Sequence, residues 1–223
     1  MFEVKSHLKA TLATLPPEVQ LVAISKFHPS EYIMAAYEEG QRIFGESHEQ
    51  ELKTKHQELP SDIKWHFIGH LQTNKVKQIV PYIDTIQSVD SIRLLREVNK
   101  QAGRIGRTIN VLLEIHVATE ETKFGFSQGE CLTMLREGEW RQMNNVRICG
   151  IMAMASNTDN LQQVASEFAA ANSFFNELKK EFFASDDFFC ERSWGMSDDY
   201  PIAIANGSTM VRIGTRIFGP RVY

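Results

Sequence analysis

Short apolar runs and stretches of helical spacing alternate along this chain. The opening MFEVKSHLKATLATL keeps its apolar positions on one stripe and predicts an amphipathic helix. After Pro16 and Pro17, VQLVAIS (19–25) is a compact apolar run rich in β-branched residues, which predicts a buried strand. SEYIMAAYEEG (30–40) returns to helical spacing, with Ser30 as candidate N-cap and Gly40 as candidate stop. The alternation continues with strands at 42–46, 64–69, 84–89, 108–117, 146–152, 188–194 and 209–214. Between them lie helices at 47–59, 72–80, 91–102, 127–138, 159–184 and 198–207, while IFGP (217–220) reads as a strand end or loop.

Eight strands, each followed by a helix or by the chain end, imply a parallel sheet with right-handed crossovers. The predicted fold class is α/β: a (β/α)8 barrel of the TIM type with an extra N-terminal helix. A doubly wound open sheet is the alternative. No internal repeat, low-complexity tract or linker divides the chain, so residues 1–223 are expected to form a single domain.

Bulk properties narrow the function classes. Of 223 residues, 43% are hydrophobic, enough for a substantial core. The net charge of -4 gives no electrostatic reason to expect nucleic acid. Cys131, Cys149 and Cys190 are odd in number and widely spaced, so free thiols in a reducing compartment fit better than a disulfide framework. The N-terminal stretch has charges throughout and lacks the apolar core of a signal peptide. Nor is any run long and apolar enough for a membrane span. A cytoplasmic location is expected.

Three constellations carry candidate chemistry. Lys26 directly follows the first strand, which places it at the rim where barrels of this kind build their sites. Partial burial there would make its amine a usable nucleophile toward an aldehyde, although a lysine ending a strand can equally reach out to water. The segment Ser193-Trp194-Gly195-Met196-Ser197-Asp198-Asp199 after strand seven, and Gly214-Thr215 after strand eight, supply hydroxyls, glycines and amides near helix starts. Loops in these two positions commonly bind phosphate; ordinary capping, with Ser197 as N-cap, is the competing explanation. Arg212 shares a face of the last strand with Met210. A guanidinium turned into the barrel needs a partner, either a ligand ring nitrogen or a carboxylate on a neighbouring strand.

Other motifs carry less. His66 and His70 have the spacing of a zinc helix, but WHFIGH reads as a strand ending in glycine, so the rings would not share a face. GMSDD lacks the pattern of a nucleophile elbow. Glu46 and Glu114 end strands two and five. They are candidates for acid–base work, but pairing with Arg or Lys is the preferred reading.

The segments LVAISK (21–26), AYEEGQRIFGE (36–46), WHFIGHLQTNKVK (65–77), SVDS (88–91), TKFGF (122–126), GIMAMA (150–155), GMSDDY (195–200) and AIANGSTMVRIGTRIFGPR (203–221) are specific in combination. Through them the chain resembles the pyridoxal phosphate homeostasis proteins, single-domain relatives of the alanine racemase N-terminal barrel. The resemblance implies a fold-type III site for pyridoxal 5'-phosphate (PLP). In it Lys26 would carry the Schiff base and Arg212 would face the pyridine nitrogen. Ser193, Gly195, Ser197, Gly214 and Thr215 would hold the phosphate. Ser47 stands where the family usually has Asn, and Arg192-Ser193-Trp194 where it usually reads L-S-M; both departures lie near the expected cofactor. Trp194 would either stack on the ring or fill space.

An arginine at the ring nitrogen leaves PLP a weak electron sink, and the chain ends soon after strand eight, where racemases continue into a β-rich domain. The expectation is a non-catalytic carrier and buffer of PLP, monomeric, whose partners are PLP and apo PLP-dependent enzymes rather than nucleic acid or membrane. A minimal amino-acid racemase is the enzyme-class alternative, and a barrel that has lost its cofactor is a third.

Overall fold

A computed structural model describes residues 2–118 and 124–220. Its described helices and strands run α1 (Phe2–Leu12), β1 (Gln20–Ile24), α2 (Ser30–Glu38), β2 (Ile43–Glu46), α3 (Glu49–Glu58) and β3 (Lys64–Phe67). After a 3-10 turn come α4 (Val76–Ile79), β4 (Thr85–Val89), α5 (Ile92–Arg104), β5 (Ile109–Ile115), α6 (Gln128–Glu137) and β6 (Val146–Ala153). The chain then forms α7 (Leu161–Phe182), β7 (Glu191–Ser193), α8 (Tyr200–Ala205), β8 (Met210–Ile213) and α9 (Thr215–Phe218).

The strands form a closed barrel in sequence order, all parallel, with β1 pairing β2 on one side and β8 on the other. Closure leaves no open sheet edge, which excludes the doubly wound alternative. The alternation of β8 follows the predicted parity. Met210 packs inside the barrel with Val22, Leu112 and Met152, whereas Val211 and Ile213 join the large core between strands and helices. α7 buries Val164, Phe168, Ala171, Phe175 and Leu178 along one stripe, as its spacing predicts. Glu167 is the exception on that face. Its carboxylate accepts the Ser156 N–H at 2.6 Å and the Ser156 hydroxyl at 2.7 Å, pinning the loop after β6.

Gly150 marks an irregularity between β5 and β6. A Cβ there would lie 1.8 Å from the Glu191 carbonyl oxygen, so only glycine lets β7 approach. α1 packs on α2 and α9 through Val4 and Leu8, as an added helix outside the barrel.

Several local expectations need correction. The N-cap of α2 is Pro29; Ser30 begins the helix and its hydroxyl donates to Glu58 at 2.6 Å. Asp199, not Ser197, occupies the N-cap of α8, and the Asp199 carboxylate accepts the Met196 N–H at 2.5 Å instead of capping the helix. Of the 217–220 segment, Ile217 and Phe218 end α9 and Gly219 and Pro220 form a loop, so it is not a strand end. Among the described residues no helix is long and apolar enough to cross a membrane. Thr122 and Lys123 of TKFGF, and Arg221, lie outside the described residues.

Candidate functional site

The C-terminal rim gathers side chains from the two ends of the chain. A cavity of about 300 Å³ is lined by Ile24, Lys26, His28, Ile68, Met154, Met196, Ser197, Asp198, Arg212, Gly214 and Thr215. Lys26, Ser197, Arg212, Gly214 and Thr215, singled out from three distant segments, therefore meet in one place. A larger cleft of about 730 Å³ lies between the loops after β3, β4 and β5; His70, Asp90 and Phe124 line it, and it holds none of the expected site residues.

Two loops build the polar end. After β7, Gly195 takes φ +96° and its carbonyl accepts the Arg212 N–H at 3.0 Å, tying this loop to β8. The chain then turns through Met196, whose carbonyl accepts the Tyr200 N–H at 2.9 Å, and this turn sets Ser197 and Asp198 at the cavity. After β8, Gly214 precedes α9 and its carbonyl accepts the N–H groups of Ile217 and Phe218. The first amides of a helix have no acceptor within it, so Thr215 brings both a hydroxyl and an amide to the wall.

Arg212 is buried, and its partners are not carboxylates. Nη1 donates to the Ser193 carbonyl and hydroxyl, both at 2.7 Å, and Nη2 donates to the Ala153 carbonyl at 3.0 Å. Burial pushes the guanidinium down to about 10, opposed by the nearby Asp199 and Glu114. It remains a cation at neutral pH. The Ser193 hydroxyl in turn donates to Gln87 Oε1 at 2.7 Å, and Gln87 Nε2 donates to His66 Nδ1 at 2.8 Å. This hydrogen bond puts the His66 proton on Nε2, which faces Asp84 at 3.7 Å. A polar chain thus runs through the barrel interior and ends on Arg212. Burial drives His66 down to about 4, so it is neutral in this chain at physiological pH.

Ser193, expected at the phosphate, has its side chain fully buried inside the barrel against Arg212 and Gln87 and does not line the cavity. Ser47 follows β2 and contacts His48 at 3.2 Å without lining the cavity. Gly195 acts through its backbone rather than as a wall residue. Trp194 fills space: it is fully buried in the outer core, with its indole N–H lacking a partner. The preferred reading of Glu46 holds, since Oε1 receives Lys55 at 2.8 Å, and burial pushes the carboxyl up to about 7. Among the described residues Glu114 makes no ion pair within 4 Å, and burial with nearby Asp90 pushes it up to about 7 against the pull of Arg212. The two histidines of WHFIGH are apart in role. His66 is inside the barrel, while His70 pairs with Asp90 at 3.1 Å and stacks on Phe124. Among the described residues no three metal-ligating side chains cluster.

Ile24, His28, Ile68 and Met154 were not foreseen as wall residues. Ile24, Ile68 and Met154 carry a readable signal, because each lies two positions beyond an interior residue (Val22, His66, Met152), at or just past the end of β1, β3 or β6. His28 has none: it enters through the irregular turn after Lys26 and packs against Phe218 and Tyr32.

Comparison with known proteins adds independent findings. The family model for the alanine racemase N-terminal domain matches residues 3–222. The chain is 37% identical over 208 residues to a pyridoxal phosphate homeostasis protein of Haemophilus influenzae, covering 92% of this chain and 86% of that one. It is 38% identical over 215 residues to the protein of the same name from Escherichia coli K12, covering 93% and 88%. A solved structure of PipY from Synechococcus elongatus PCC7942, with PLP bound, superposes with a TM-score of 0.88 at 35% identity, covering 97% of this chain and all of that one.

Proposed function

Because the chain belongs to the family of the alanine racemase N-terminal domain, and because its rim cavity has the matching chemistry, we propose that it binds PLP, buffers it and hands it on in intracellular PLP homeostasis. The observation that carries this reading is the convergence, in one small cavity, of a lysine amine, a buried arginine cation and two hydroxyl-bearing loops. The residues fit the group. A cavity of about 300 Å³ is at the small end of ligand sites. A Cβ on Gly214 would lie 3.1 Å from both Cβ and O of Ile24, so glycine keeps the space between two cavity-lining residues open.

When bound, PLP supplies an aldehyde for capture by an amine and a ring that can draw electrons from the attached carbon. Lys26, half-buried at the start of the β1–α2 turn, is the amine that would hold the aldehyde carbon. Ser197, Thr215 and the opening amides of α9 would hold the phosphate, with Gly195 and Gly214 setting the loop backbones. Arg212 would lie against the ring. As a cation with donors only, it would not stabilise a protonated ring nitrogen, as a carboxylate in that place would. The network through Ser193, Gln87 and His66 holds the guanidinium in this role. A weak electron sink suits storage and release rather than turnover, which favours a carrier over a racemase. Recipients would be apo PLP-dependent enzymes, reached by a monomer formed from one PLP-binding barrel.

The test follows the cofactor. Protein loaded with PLP is mixed with an apo-aminotransferase in the presence of a PLP-trapping enzyme; recovery of aminotransferase activity supports delivery. In parallel, alanine is incubated with the loaded protein in deuterated solvent. Exchange of its α-hydrogen no faster than with free PLP is expected, and rapid exchange would establish a racemase-type enzyme instead.

A further inference from the structure

Lys26 lies between Ser25 and Phe27, and one buried cluster grips both neighbours. The Phe27 N–H donates to Glu51 Oε1 at 2.7 Å. Ser25 donates its hydroxyl to Glu46 Oε1 at 2.6 Å, and its carbonyl accepts Lys55 Nζ at 2.8 Å. Lys55 Nζ also donates to Glu46 Oε1 at 2.8 Å and Glu51 Oε1 at 2.6 Å. An ammonium has three donors, and all three are spent here. The Lys55 side chain is 6% exposed, so its charge depends on these partners.

The backbone they hold is unusual. Phe27 has φ +65°, the sole positive value among the described non-glycine residues. An aromatic residue resists that conformation unless its surroundings impose it. Glu51, from α3, accepts the Phe27 N–H and so fixes the bent peptide. The cluster belongs to β2 and α3, not to the cavity wall, and none of Glu46, Glu51 and Lys55 lines the cavity.

We propose that Lys55 and Glu51 are positioning residues that lock the strained turn after Ser25 and so present the Lys26 amine to the aldehyde. The inference rests on the PLP reading above. It also explains how the two lysines at this turn differ in duty: Lys55 donates to three acceptors, Ser25, Glu46 and Glu51, whereas Lys26 lines the cavity.

Glu51→Ala removes the acceptor of the Phe27 N–H and one partner of Lys55, while the Glu46–Lys55 pair survives. In the full-length chain, the Phe27 amide should exchange with deuterated solvent at least ten-fold faster without any cofactor present, about the effect of losing a hydrogen bond to a charged group. PLP uptake, followed by the absorbance band of lysine-linked cofactor, should weaken about ten-fold. Glu51→Gln keeps an acceptor oxygen and should recover most of both. Should Glu51→Ala fail to fold, Lys55→Arg keeps the charge but alters the donor geometry, and it should also weaken uptake. Parental uptake by a folded Glu51→Ala or Lys55→Arg chain overturns the inference, even if the thermal midpoint falls. A parent chain that never shows the band overturns the PLP reading and the inference together; a parent with the band and unaffected variants overturns the inference alone.

Discussion

Replacing Ser193 by alanine separates two roles for this hydroxyl, phosphate ligand or support of Arg212. The side chain is fully buried, donates to Gln87 Oε1 at 2.7 Å and accepts from Arg212 Nη1 at 2.7 Å. Alanine leaves the Gln87 carbonyl oxygen without its donor and removes one of the contacts of a buried cation. A lost hydrogen bond to a charged group and an unsatisfied buried amide together cost about 3 kcal/mol. In a chain of this length that lowers the thermal midpoint by roughly 6–12 °C. The assay is scanning calorimetry of the cofactor-free protein in a buffer without phosphate, so no ligand contributes. Gln87→Leu should be costly by itself, and the Ser193→Ala/Gln87→Leu pair should cost less than the two changes summed, because they share one contact. If cofactor-free Ser193→Ala melts with the parent while its PLP affinity collapses, Ser193 is a phosphate ligand and the support role is wrong.

Three further outcomes follow. Glu114, held up near 7 by burial, retains in the folded state a proton that the unfolded chain releases near 4.5. Its contribution to stability is full below about 4.5 and is lost as pH rises through about 7, a swing of roughly 3 kcal/mol. Glu114→Gln should therefore be no more stable than the parent at pH 4.5 but clearly more stable at pH 8; parallel denaturant curves at both pH values would contradict the assignment. Gly195→Ala places a Cβ 2.5 Å from that of Ala203 and 3.0 Å from the Tyr200 Cα, at φ +96°. It should lose at least about 2 kcal/mol in urea unfolding, and a neutral result would mean the β7–α8 loop yields freely. His66→Leu breaks the interior chain at its far end while keeping an apolar volume. It should change the absorbance maximum of bound PLP by way of Gln87, Ser193 and Arg212, and an unshifted maximum would show that the chain does not reach the ring.

The barrel was readable because most strands announced themselves by short apolar runs, β1 and β5 most clearly, and because closure follows from eight strand–helix units in order. Boundaries shifted where local chemistry gave no clear preference. Ser30 looked like a cap, yet Pro29 before it already supplies the extended turn, with φ -69° and ψ 158°. Among site residues, Lys26, Ser197, Arg212, Gly214 and Thr215 were legible because strand ends of a barrel all meet at one rim. The burial of Ser193 beneath Arg212 was not legible, because a motif shows which residues are close, not which side of the strand each faces. Counting in twos from Met210 and Arg212 identifies the interior of β8, but β7 spans only Glu191–Ser193, too short for its parity to stand out. The cluster around Lys55 was invisible for a different reason: its members come from the turn after β1, from β2 and from α3, and no spacing in the sequence joins Ser25 and Phe27 to Lys55.

The identity of the lysine that holds PLP tests the central claim most directly. Protein saturated with PLP is reduced with borohydride, digested, and the labelled peptide sequenced by mass spectrometry. The label should fall on Lys26 and vanish in Lys26→Ala, together with the visible band. A label on Lys55 or any other lysine, or a band that survives Lys26→Ala, would contradict the assignment of the rim cavity as the PLP site.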